Sequence, residues 1–562
     1  MKLVKIRILA LTLATVFCIG AGIFESQQTA SAATSAYNEP IIRIGMYVDT
    51  SVLDTRLFSS LNKSANGFEI GFSSGYNFQK SFEIANNAFI IAPQVNLNFA
   101  NGSVKPDNNG NIGAYSAVLG KYSGYSAALS AAKAKGGFVA VVNGGYEARA
   151  YSATTAEAVK SASGGKTVAS PVNGGLVVLD ESGKIIFTWE NTTKRLALRG
   201  KNGIVNFPML HHSGNINHYD YRGFLEYSVN GSKLYMINVL GLEEYTKCVM
   251  SNEIGLNYSA ETRKAFSVLA RTVAMRSRHT RRGLDFDVCN NESCCQVYHG
   301  IYRLTEENNK IVDATRGLIC TYEGSPISAP YHNSNGGASC SSVAAWGGSE
   351  VPYLTTVFLE EYRDGDKWKK EFTKQEFFKH LTSRSYFKSL TDDNINMQIL
   401  ETDPYGSDYI TLLSVSDGSG NTVRIETSEN VRRACGFSSA NFTLDYTADV
   451  GVLTSEGAVE EKAVSGVMTA DGYKPFEGFD ESYESTSGEV VAPEKVTVDG
   501  AGVGHGVGFS ATGSEKLAKD GYNYQYILSF FFSGTKLEYA TSASSTPTPG
   551  QKPSEDIEIK GE

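Results

Sequence analysis

The stretch LEEYTKCVMSNEIGLNYSAETRKAFSVLARTVAMRS, residues 242–277, predicts two helices separated by a break that contains Gly255. Glu253 lies at this break, and Ser259 and Glu261 suit the cap and the first turn of the second helix. A lone Glu between two helices is usually an exposed charge, because Glu is seldom buried. Whether Glu253 has a role therefore depends on the rest of the chain.

The second predicted helix has two distinguishable faces. Apolar side chains at helical spacing predict the face that packs against the core: Phe266, Leu269, Ala270 and Val273. A different face carries Arg263, Ser267 and Arg271. Exposed basic faces are common on helices, so a solvated surface is the alternative to a functional role for it.

The first 32 residues predict export. Three basic residues precede an uncharged stretch at 8–24, and Ala30-Ser31-Ala32 offers a small-residue cleavage site. An uncleaved membrane anchor is the alternative, since a stretch of this length can span a thin bilayer. We therefore expect the protein at the cell wall or on the outer face of the membrane.

Charge and cysteine content restrict the partners. The formal net charge of -9 argues against nucleic acid and is compatible with neutral glycans. Seven cysteines lie beyond the signal, an odd number that leaves at least one thiol unpaired or places some on a metal. They are Cys248, Cys289, Cys294, Cys295, Cys320, Cys340 and Cys435.

The chain divides into several predicted regions. Strands at 41–48 and 68–72 belong to a first core segment, 37–80, and the main core follows at 172–454 with a hairpin at 174–187. Three further regions complete the division: an acidic surface excursion at 455–494, a C-terminal core motif at 495–540, and a Pro/Ser/Thr-rich, disordered tail at 541–562.

Residues 81–165 differ from their surroundings. Between Val118 and Ala162 the sequence repeats an aromatic-Ser or Ser-Ala-Thr turn followed by an Ala-rich helix, with the strand FVAVV between the two halves. This pattern resembles a SPOR domain, a small α+β module that binds peptidoglycan strands stripped of their peptides. A purely structural α/β insertion is the alternative.

Four further blocks follow Glu253 in order. They are CNNESCCQVY at 289–298, VDATRGLICTYEGSPISAPYHNSNGG at 312–337, VRRACGFSSANFTL at 431–444 and GVGHGVGFS at 502–510. With residues 242–277 they resemble the stage II sporulation protein D (SpoIID) family, which includes the LytB amidase enhancers. The resemblance implies an α+β fold with a β-rich catalytic core, a helical active-site segment and, in this chain, the SPOR-like insertion.

The resemblance also implies a reaction. The family's lytic transglycosylases cleave the bond between N-acetylmuramic acid and N-acetylglucosamine and leave a 1,6-anhydro end. Glu253 matches the family's catalytic acid and base, and Arg271 matches an arginine that would hold substrate or stabilise developing charge. No cofactor is required, and the expected partners are peptidoglycan strands and a cell-wall amidase.

Two further sets of residues have an expected role, one in binding substrate and one in binding a metal. A loop after the predicted strand 327–331 and a glycine-rich segment supply the expected substrate-binding residues: His332, Ser334, Asn335, His505 and Ser510. By resemblance, His279, Cys289 and Cys295 would hold a structural Zn²⁺. A disulfide between Cys289 and Cys295 is the rival in an oxidising compartment.

Several residues depart from the family pattern and leave the activity open. Ile254-Gly255 replaces Met-Pro, Phe266 replaces a Gln, Phe509 replaces a Met, and Ala511-Thr512 replaces Gln-Tyr. A wall-binding amidase enhancer without catalysis is therefore an alternative. Hydrolysis ranks last, because it generally needs two carboxylates and Glu243 and Glu244 lie two to three helical turns from Glu253.

Overall fold

The computed structural model describes residues 37–541, apart from 47, 50–53, 56, 75, 192, 211–215, 277–283, 292–293, 360–365, 454–458, 470–471, 480 and 485–489. The predicted signal, His279 and the tail beyond Thr541 lie outside the described residues. Within the described residues, no helix has both the length and the apolar character needed to cross a membrane.

The fold is α+β and rich in strands, which confirms the predicted class. The helices of the described part are α1 Tyr125–Lys133, α2 Ala156–Ala162, α3 Leu242–Glu253, α4 Ala260–Met275, α5 Glu306–Asp313, α6 Ser342–Trp346, α7 Lys374–Thr382, α8 Ser428–Cys435, α9 Ala511–Lys519 and α10 Tyr524–Phe531. A 3₁₀ turn adds Ser385–Phe387.

A seven-stranded sheet carries the helix that bears Glu253. From edge to edge its strands are Val288–Cys289, Ile41–Met46, Lys233–Gly241, Phe224–Asn230, Leu196–Gly200, Phe68–Ser74 and Asn77–Ile84. The predicted strands at 41–48 and 68–72 are among them. Strand Lys233–Gly241 runs directly into α3, so the sheet fixes where that helix starts.

A ten-stranded sheet contains the predicted insertion. Its strand order is Val168–Ala169, Tyr115–Tyr122, Gly145–Ala153, Phe138–Val142, Ile185–Trp189, Leu176–Leu179, Ala88–Pro93, Ser60–Lys63, Val205–Leu210 and Ile216–Tyr221. The first four strands and α1 and α2 form two strand–helix–strand halves, the β-α-β-β-α-β arrangement of split βαβ folds. The predicted hairpin at 174–187 is the antiparallel pair Leu176–Leu179 and Ile185–Trp189.

The inserted unit is continuous with the core sheet. Its strand Phe138–Val142 pairs in parallel with Ile185–Trp189. Arg149 of the unit is buried and bonds Glu147 and also Glu190, at 2.8 Å each, just beyond that core strand. The two parts therefore share backbone hydrogen bonds and a buried ion pair.

The remaining strands form smaller sheets. The larger ones are Lys367–Thr373, Lys495–Ala501, Phe442–Leu453 and Val459–Val464; Asn396–Thr402, Ile410–Ser416 and Thr422–Glu426; and Ser325–Pro326, Leu318–Tyr322 and Lys536–Tyr539. The two-stranded pairs are Tyr331–His332 with Phe509–Ser510, Val48–Asp49 with Asp54–Thr55, Leu97–Ala100 with Ser103–Pro106, Gly466–Thr469 with Gly472–Pro475, and Tyr483–Glu484 with Val490–Val491.

Three expectations need correction. The predicted strand at 327–331 is reduced to Tyr331–His332, because only these residues pair with a neighbouring segment. The acidic range 455–494 is not solely a surface excursion, since its described residues include short strands and the buried Phe476 and Phe479. The third correction concerns α4.

Helix α4 is enclosed on both of its predicted faces. Phe266, Leu269 and Ala270 are buried as expected, but Arg263 and Arg271 are also only 5% and 0% exposed. The guanidinium of Arg263 bonds Asn308 and Glu307 of α5. The basic face is therefore an internal polar interface rather than the solvated surface that the sequence suggested.

Candidate active site

Glu253 is the last residue of α3, and its carboxylate accepts hydrogen bonds from Tyr331 and Val297. Ile254 adopts an extended backbone conformation that ends the helix. The hydroxyl of Tyr331 donates to Oε1 of Glu253 at 2.6 Å, and the backbone N–H of Val297 donates to the same oxygen at 2.7 Å. The side chain is partly buried. Glu253 thus occupies a defined position instead of projecting freely from the helix break.

Tyr331 connects Glu253 to the C-terminal part of the chain. Its strand pairs in parallel with Phe509–Ser510. Burial, together with the negative charge of Glu253 and the hydrogen bond to it, keeps the pKa of Tyr331 well above its usual value. The phenol therefore stays protonated and donates to the carboxylate. Phe266 packs edge-on against the Tyr331 ring, with centroids 4.9 Å apart.

Buried hydrogen bonds hold the residues on both sides of Val297. Gln296 is fully buried, and its Oε1 accepts a 3.0 Å hydrogen bond from the hydroxyl of Tyr245 on α3. Tyr298 is also buried and donates to Asn238 at 2.6 Å. These contacts fix the backbone on both sides of Val297, so its N–H is directed at Glu253.

A carboxylate from α9 caps α4, just beyond the loop that follows Glu253. Glu515 accepts hydrogen bonds from the backbone N–H and the hydroxyl of Ser259, both at 2.7 Å, and from the Thr262 hydroxyl at 3.1 Å. Burial raises the pKa of Glu515, but these hydrogen bonds outweigh it and the pKa is lowered. Ser259 is the cap position that the sequence predicted, although its acceptor comes from another helix.

Arg271 lies in a buried ion pair rather than at the Glu253 carboxylate. It is 0% exposed, and its Nη2 bonds Glu243 at 2.7 Å and the Val312 carbonyl at 2.8 Å. Its Nη1 donates to the Thr315 hydroxyl at 3.1 Å. The expected direct contact with substrate is thus not supported by this geometry, because the guanidinium is enclosed and its nitrogens are occupied.

The two acidic residues at the start of α3 also have other partners. Glu243 is 2% exposed and accepts, besides Arg271, hydrogen bonds from Tyr37 and from the backbone N–H of Gly317. Glu244 pairs with Arg222 at 2.7 Å. Neither residue is therefore placed as a second carboxylate for Glu253, in line with the low rank given to hydrolysis.

His332, which is buried, and His505, which is half-buried, form a pair behind Tyr331. Their ring centroids are 5.3 Å apart. His505 Nε2 lies 3.0 Å from the Tyr331 carbonyl, and its Nδ1 accepts from the Val507 N–H at 3.0 Å, which requires the neutral ring. Burial lowers the pKa of His505 to about 4 and that of His332 well below its usual value. Both rings act as structural groups in this arrangement.

The other predicted substrate-binding side chains are also enclosed. Ser334 and Asn335 are 1% and 3% exposed, and Ser334 exchanges backbone hydrogen bonds with Val503. Ser510 is 0% exposed and caps α9 by accepting from the Gly513 N–H at 3.1 Å. The predicted residues lie in two loops that contact each other, but their buried side chains are not presented to a ligand.

The structure brings the two predicted thiol ligands, Cys289 and Cys295, together with a third thiol, Cys294. The sulfurs of Cys289, Cys294 and Cys295 all lie within 4.8 Å of one another, and those of Cys289 and Cys295 are 3.6 Å apart. A disulfide requires about 2.05 Å, and these cysteines are free thiols. Sulfurs on a tetrahedral zinc lie roughly 3.8 Å apart, given Zn–S bonds of about 2.3 Å. The spacing therefore fits a thiolate-bound zinc, with Cys294 as an additional ligand.

Tyr331 and Val297 are the site residues that sequence reasoning did not single out. Both contact Glu253. The contacts of Tyr331 and Val297 with Glu253 depend on tertiary packing that one sequence does not reveal.

Comparison with known proteins gives a family match to part of the chain. Residues 230–322, which contain α3, α4 and the Cys289–Val297 segment, match SpoIID, described as Stage II sporulation protein. The chain is 29% identical over 307 residues to the Amidase enhancer of Bacillus subtilis (strain 168), covering 52% of this chain and 40% of that protein. The chain thus spans less than half of that relative's length.

Two relatives carry another name. Stage II sporulation protein D of Bacillus subtilis (strain 168) is 23% identical over 315 residues, or 53% of this chain and 75% of that protein. Stage II sporulation protein D of Bacillus amyloliquefaciens is 23% identical over 325 residues, or 55% and 77%.

Proposed function

This chain belongs to the SpoIID family, and from that premise we propose that it is a lytic transglycosylase of peptidoglycan. Its substrate would be the bond between N-acetylmuramic acid and N-acetylglucosamine in strands freed of stem peptides. The observation that carries the proposal is the Glu253 carboxylate, which two donors hold at the end of α3. The setting would be wall remodelling during sporulation, on the outer side of the membrane.

A single carboxyl group suffices for this reaction. Protonated Glu253 gives its proton to the bridging oxygen as the bond from that oxygen to the muramic acid C1 breaks. The C6 hydroxyl of the same muramic acid then attacks C1, and its proton passes to the Glu253 carboxylate. The products are a 1,6-anhydro end and a free N-acetylglucosamine hydroxyl, with no water consumed. The acid is regenerated in each cycle.

Tyr331 and Val297 would orient the carboxylate for both proton transfers. Both donate to Oε1 of Glu253, so they fix the rotation of the group and stabilise its charged form after the first transfer. Arg271 is a positioning residue in this account. Its ion pair with Glu243 ties the beginning of α3 to α4, and Glu253 lies at the other end of α3.

Two further parts of the chain would serve the same substrate. The β-α-β-β-α-β unit would bind peptide-free strands in the manner of a SPOR domain, and its fold supports that assignment. Zinc on the three thiols would be structural, since it would hold the segment that leads to Val297. No catalytic step requires the metal.

A non-catalytic amidase enhancer is the second candidate. The relative named Amidase enhancer favours it, as does the apolar Phe266 in place of a Gln beside the site. Phe266 and Phe509 pack with centroids 6.2 Å apart where the family pattern has a Gln and a Met. In this alternative the chain would bind peptidoglycan and a cell-wall amidase without cleaving glycan.

Product analysis distinguishes the two functions. Purified protein and its Glu253→Gln variant would be incubated with amidase-treated peptidoglycan. The released muropeptides would be separated, and their molecular masses would be measured. The transglycosylase predicts anhydro-muramic products from the unaltered protein and none from the variant. Faster release of peptides by an added amidase, without any anhydro sugar, would establish the enhancer instead.

A further inference from the structure

A groove beside helix α7 is lined by side chains of both charges, but its carboxylates are already occupied. Its volume is about 470 Å³, and its lining residues are Glu371, Phe372, Glu376, Lys379, His380 and Ser383. Glu371 pairs with Lys369 at 2.8 Å. Glu376 accepts from the backbone N–H and the hydroxyl of Thr373 at the start of α7. These two acids are therefore not partners for further cations at the groove.

Three basic side chains surround two consecutive residues at the end of α8, next to this groove. The ring of His380 stacks on that of Phe437, with centroids 5.6 Å apart. Nζ of Lys370 lies 5.5 Å from the centre of the same Phe437 ring. The guanidinium of Arg384 lies against Gly436, where a Cβ would be only 1.9 Å from Nη2. The absence of a side chain at Gly436 thus makes room for the guanidinium.

The two permanent cations of this cluster lack acidic partners. Lys370 and Arg384 form no ion pair and no side-chain hydrogen bond with the residues that the structure describes. Both are partly exposed, whereas Nε of Arg384 is enclosed and has no acceptor. A buried donor in a protein normally has a partner, so an orphaned one indicates a bound water, ion or ligand. Burial and the charges of Lys370 and Arg384 lower the pKa of His380, which leaves the positive charge to those two residues.

We propose that Arg384 and Lys370 bind a carboxylate, namely the lactyl group of a muramic acid that has lost its stem peptide. The planar donor fork of Arg384 matches the two oxygens of a carboxylate, and Lys370 adds a compact second charge. In a strand that retains its peptides, this lactyl group is an amide and has no charge. Removal of the peptide exposes the carboxylate, and the adjoining groove provides space for the sugar that bears it.

This site deepens the proposed function and rests on it for the identity of the ligand. Strand Lys367–Thr373, α7 and α8 are different elements from those that hold Glu253, so recognition and cleavage belong to separate parts of the chain. A strand with its peptides attached offers no anion to Arg384 and Lys370, and their donors stay unpaired. Preference for peptide-free strands would then come from this groove.

Binding of two matched sugars tests the site without requiring cleavage. The full-length Glu253→Gln protein would be titrated calorimetrically with a peptide-free tetrasaccharide of alternating N-acetylglucosamine and N-acetylmuramic acid, and with the same sugar carrying carboxamides in place of its lactyl carboxylates. We expect the carboxylate form to bind about 10-fold more tightly, and added salt to reduce the difference. Arg384→Gln and Lys370→Gln, each in the Glu253→Gln background, should weaken that form by about 3- to 10-fold and leave the carboxamide form unchanged.

The control is Arg424→Gln, which removes an exposed arginine from another strand and should change neither affinity. Equal affinity of the parent for both sugars, or no detectable binding of the carboxylate form, would overturn the site, and this comparison needs no change at Arg384. So would variants that bind as the parent does or that lose both sugars equally. Tighter binding of glycerol phosphate than of the carboxylate sugar would also overturn it, in favour of a phosphate site.

The same measurements separate this site from the proposed function. If the affinity depends on the carboxylate but no anhydro product forms, the proposed function fails and the site stands. If anhydro product forms and the affinity does not depend on the carboxylate, the site fails and the proposed function stands.

Discussion

At the scale of single residues, the proposed activity depends on how Glu253 is held. A lone Glu at a helix break is ordinarily an exposed charge, yet here one oxygen receives a phenol and a backbone N–H. The departures at Phe266 and Phe509 lie together behind the Tyr331 ring. They therefore provide an apolar backing for the tyrosine that positions Glu253.

Tyr331→Phe tests that arrangement. The substitution keeps the ring packed against Phe266 and removes only the hydroxyl that donates to Glu253. We expect the rate of anhydro-product formation to fall about 10- to 100-fold, less than the roughly 10²- to 10⁴-fold that general acid–base catalysis itself contributes. Tyr298→Phe is the matched control, since its hydroxyl bonds Asn238 instead, and it should retain activity. Unchanged turnover in Tyr331→Phe would argue against the role.

Arg271→Met tests the reassignment of the arginine. Removing it leaves Glu243 as a buried carboxylate without its cation, which typically destabilises a protein by about 3–5 kcal/mol. We expect a lower denaturant midpoint, and partial recovery in the double variant Arg271→Met with Glu243→Leu. A variant of unchanged stability that has lost all cleavage would instead support direct contact between Arg271 and substrate.

Much at this scale could be predicted from the sequence, but not which side chains face a ligand. Position in a motif identified Glu253, the histidines and the cysteines. Burial then decided their roles, because the loops that carry His332, Ser334 and Ser510 turn these side chains inward. Asn333, in the same motif, is exposed instead.

At the scale of elements, contacts from distant segments assemble the site. Glu515 of α9 caps α4, and Glu261 of α4 in turn accepts from the backbone N–H of Tyr524 at the start of α10. A carboxylate of α9 thus accepts from an unpaired N–H at the start of α4, and a carboxylate of α4 accepts from one at the start of α10. The helix boundaries could be predicted from periodicity, whereas the identity of the capping carboxylate could not.

His505 makes the pairing of strands 331–332 and 509–510 dependent on pH. Its pKa of about 4 lies below the ordinary value of 6.5, so the unfolded chain binds a proton that the folded chain excludes. The neutral ring's stabilisation is complete above about pH 6.5 and is lost as the pH falls toward 4. We expect the free energy of unfolding to drop by about 1–3 kcal/mol over this window.

Denaturant unfolding of the protein and of His505→Asn between pH 4 and 7 isolates this contribution. The variant should be less stable at pH 7 and show a shallower dependence on pH. Parallel curves for the two proteins would contradict the assignment of that dependence to His505.

The cysteine segment supports a prediction about zinc. Reduced protein should bind one Zn²⁺ and unfold at a higher temperature, because a metal that binds only the folded state stabilises it. Cys295→Ser should abolish most of the shift, since Sγ of Cys295 lies within 4.0 Å of both other sulfurs. Cys435→Ser, which alters a buried cysteine outside the cluster, is the control. The absence of a zinc-dependent shift would favour a disulfide under oxidising conditions.

At the scale of the whole molecule, the inserted unit and the core form one continuous sheet. The sequence predicted the two similar halves between 118 and 162, because local helix and strand patterns are strong there. It did not predict that Phe138–Val142 pairs with Ile185–Trp189, since strand pairing across long separations has no local signature. Whether the unit binds glycan stays a prediction.

Arg149→Met tests the continuity between the two parts. The substitution removes the cation between Glu147 and Glu190 and should destabilise strands on both sides of the junction by about 3–5 kcal/mol. Hydrogen exchange should therefore show faster amide exchange in 138–153 and also in 176–189. Faster exchange confined to the inserted unit would show that it unfolds independently. Arg424→Met, at an exposed position distant in sequence, should leave both segments unchanged.

The most direct test of the central claim is the mass of the cleavage products formed in ¹⁸O-labelled water from peptide-free strands. Because Glu253 works alone and the muramic acid C6 hydroxyl replaces water, the account predicts anhydro ends without any label, and no product from Glu253→Gln. Reducing ends that carry one ¹⁸O atom would contradict it and would require a second catalytic group. Unlabelled anhydro ends that persist in Glu253→Gln would show that another residue is the acid.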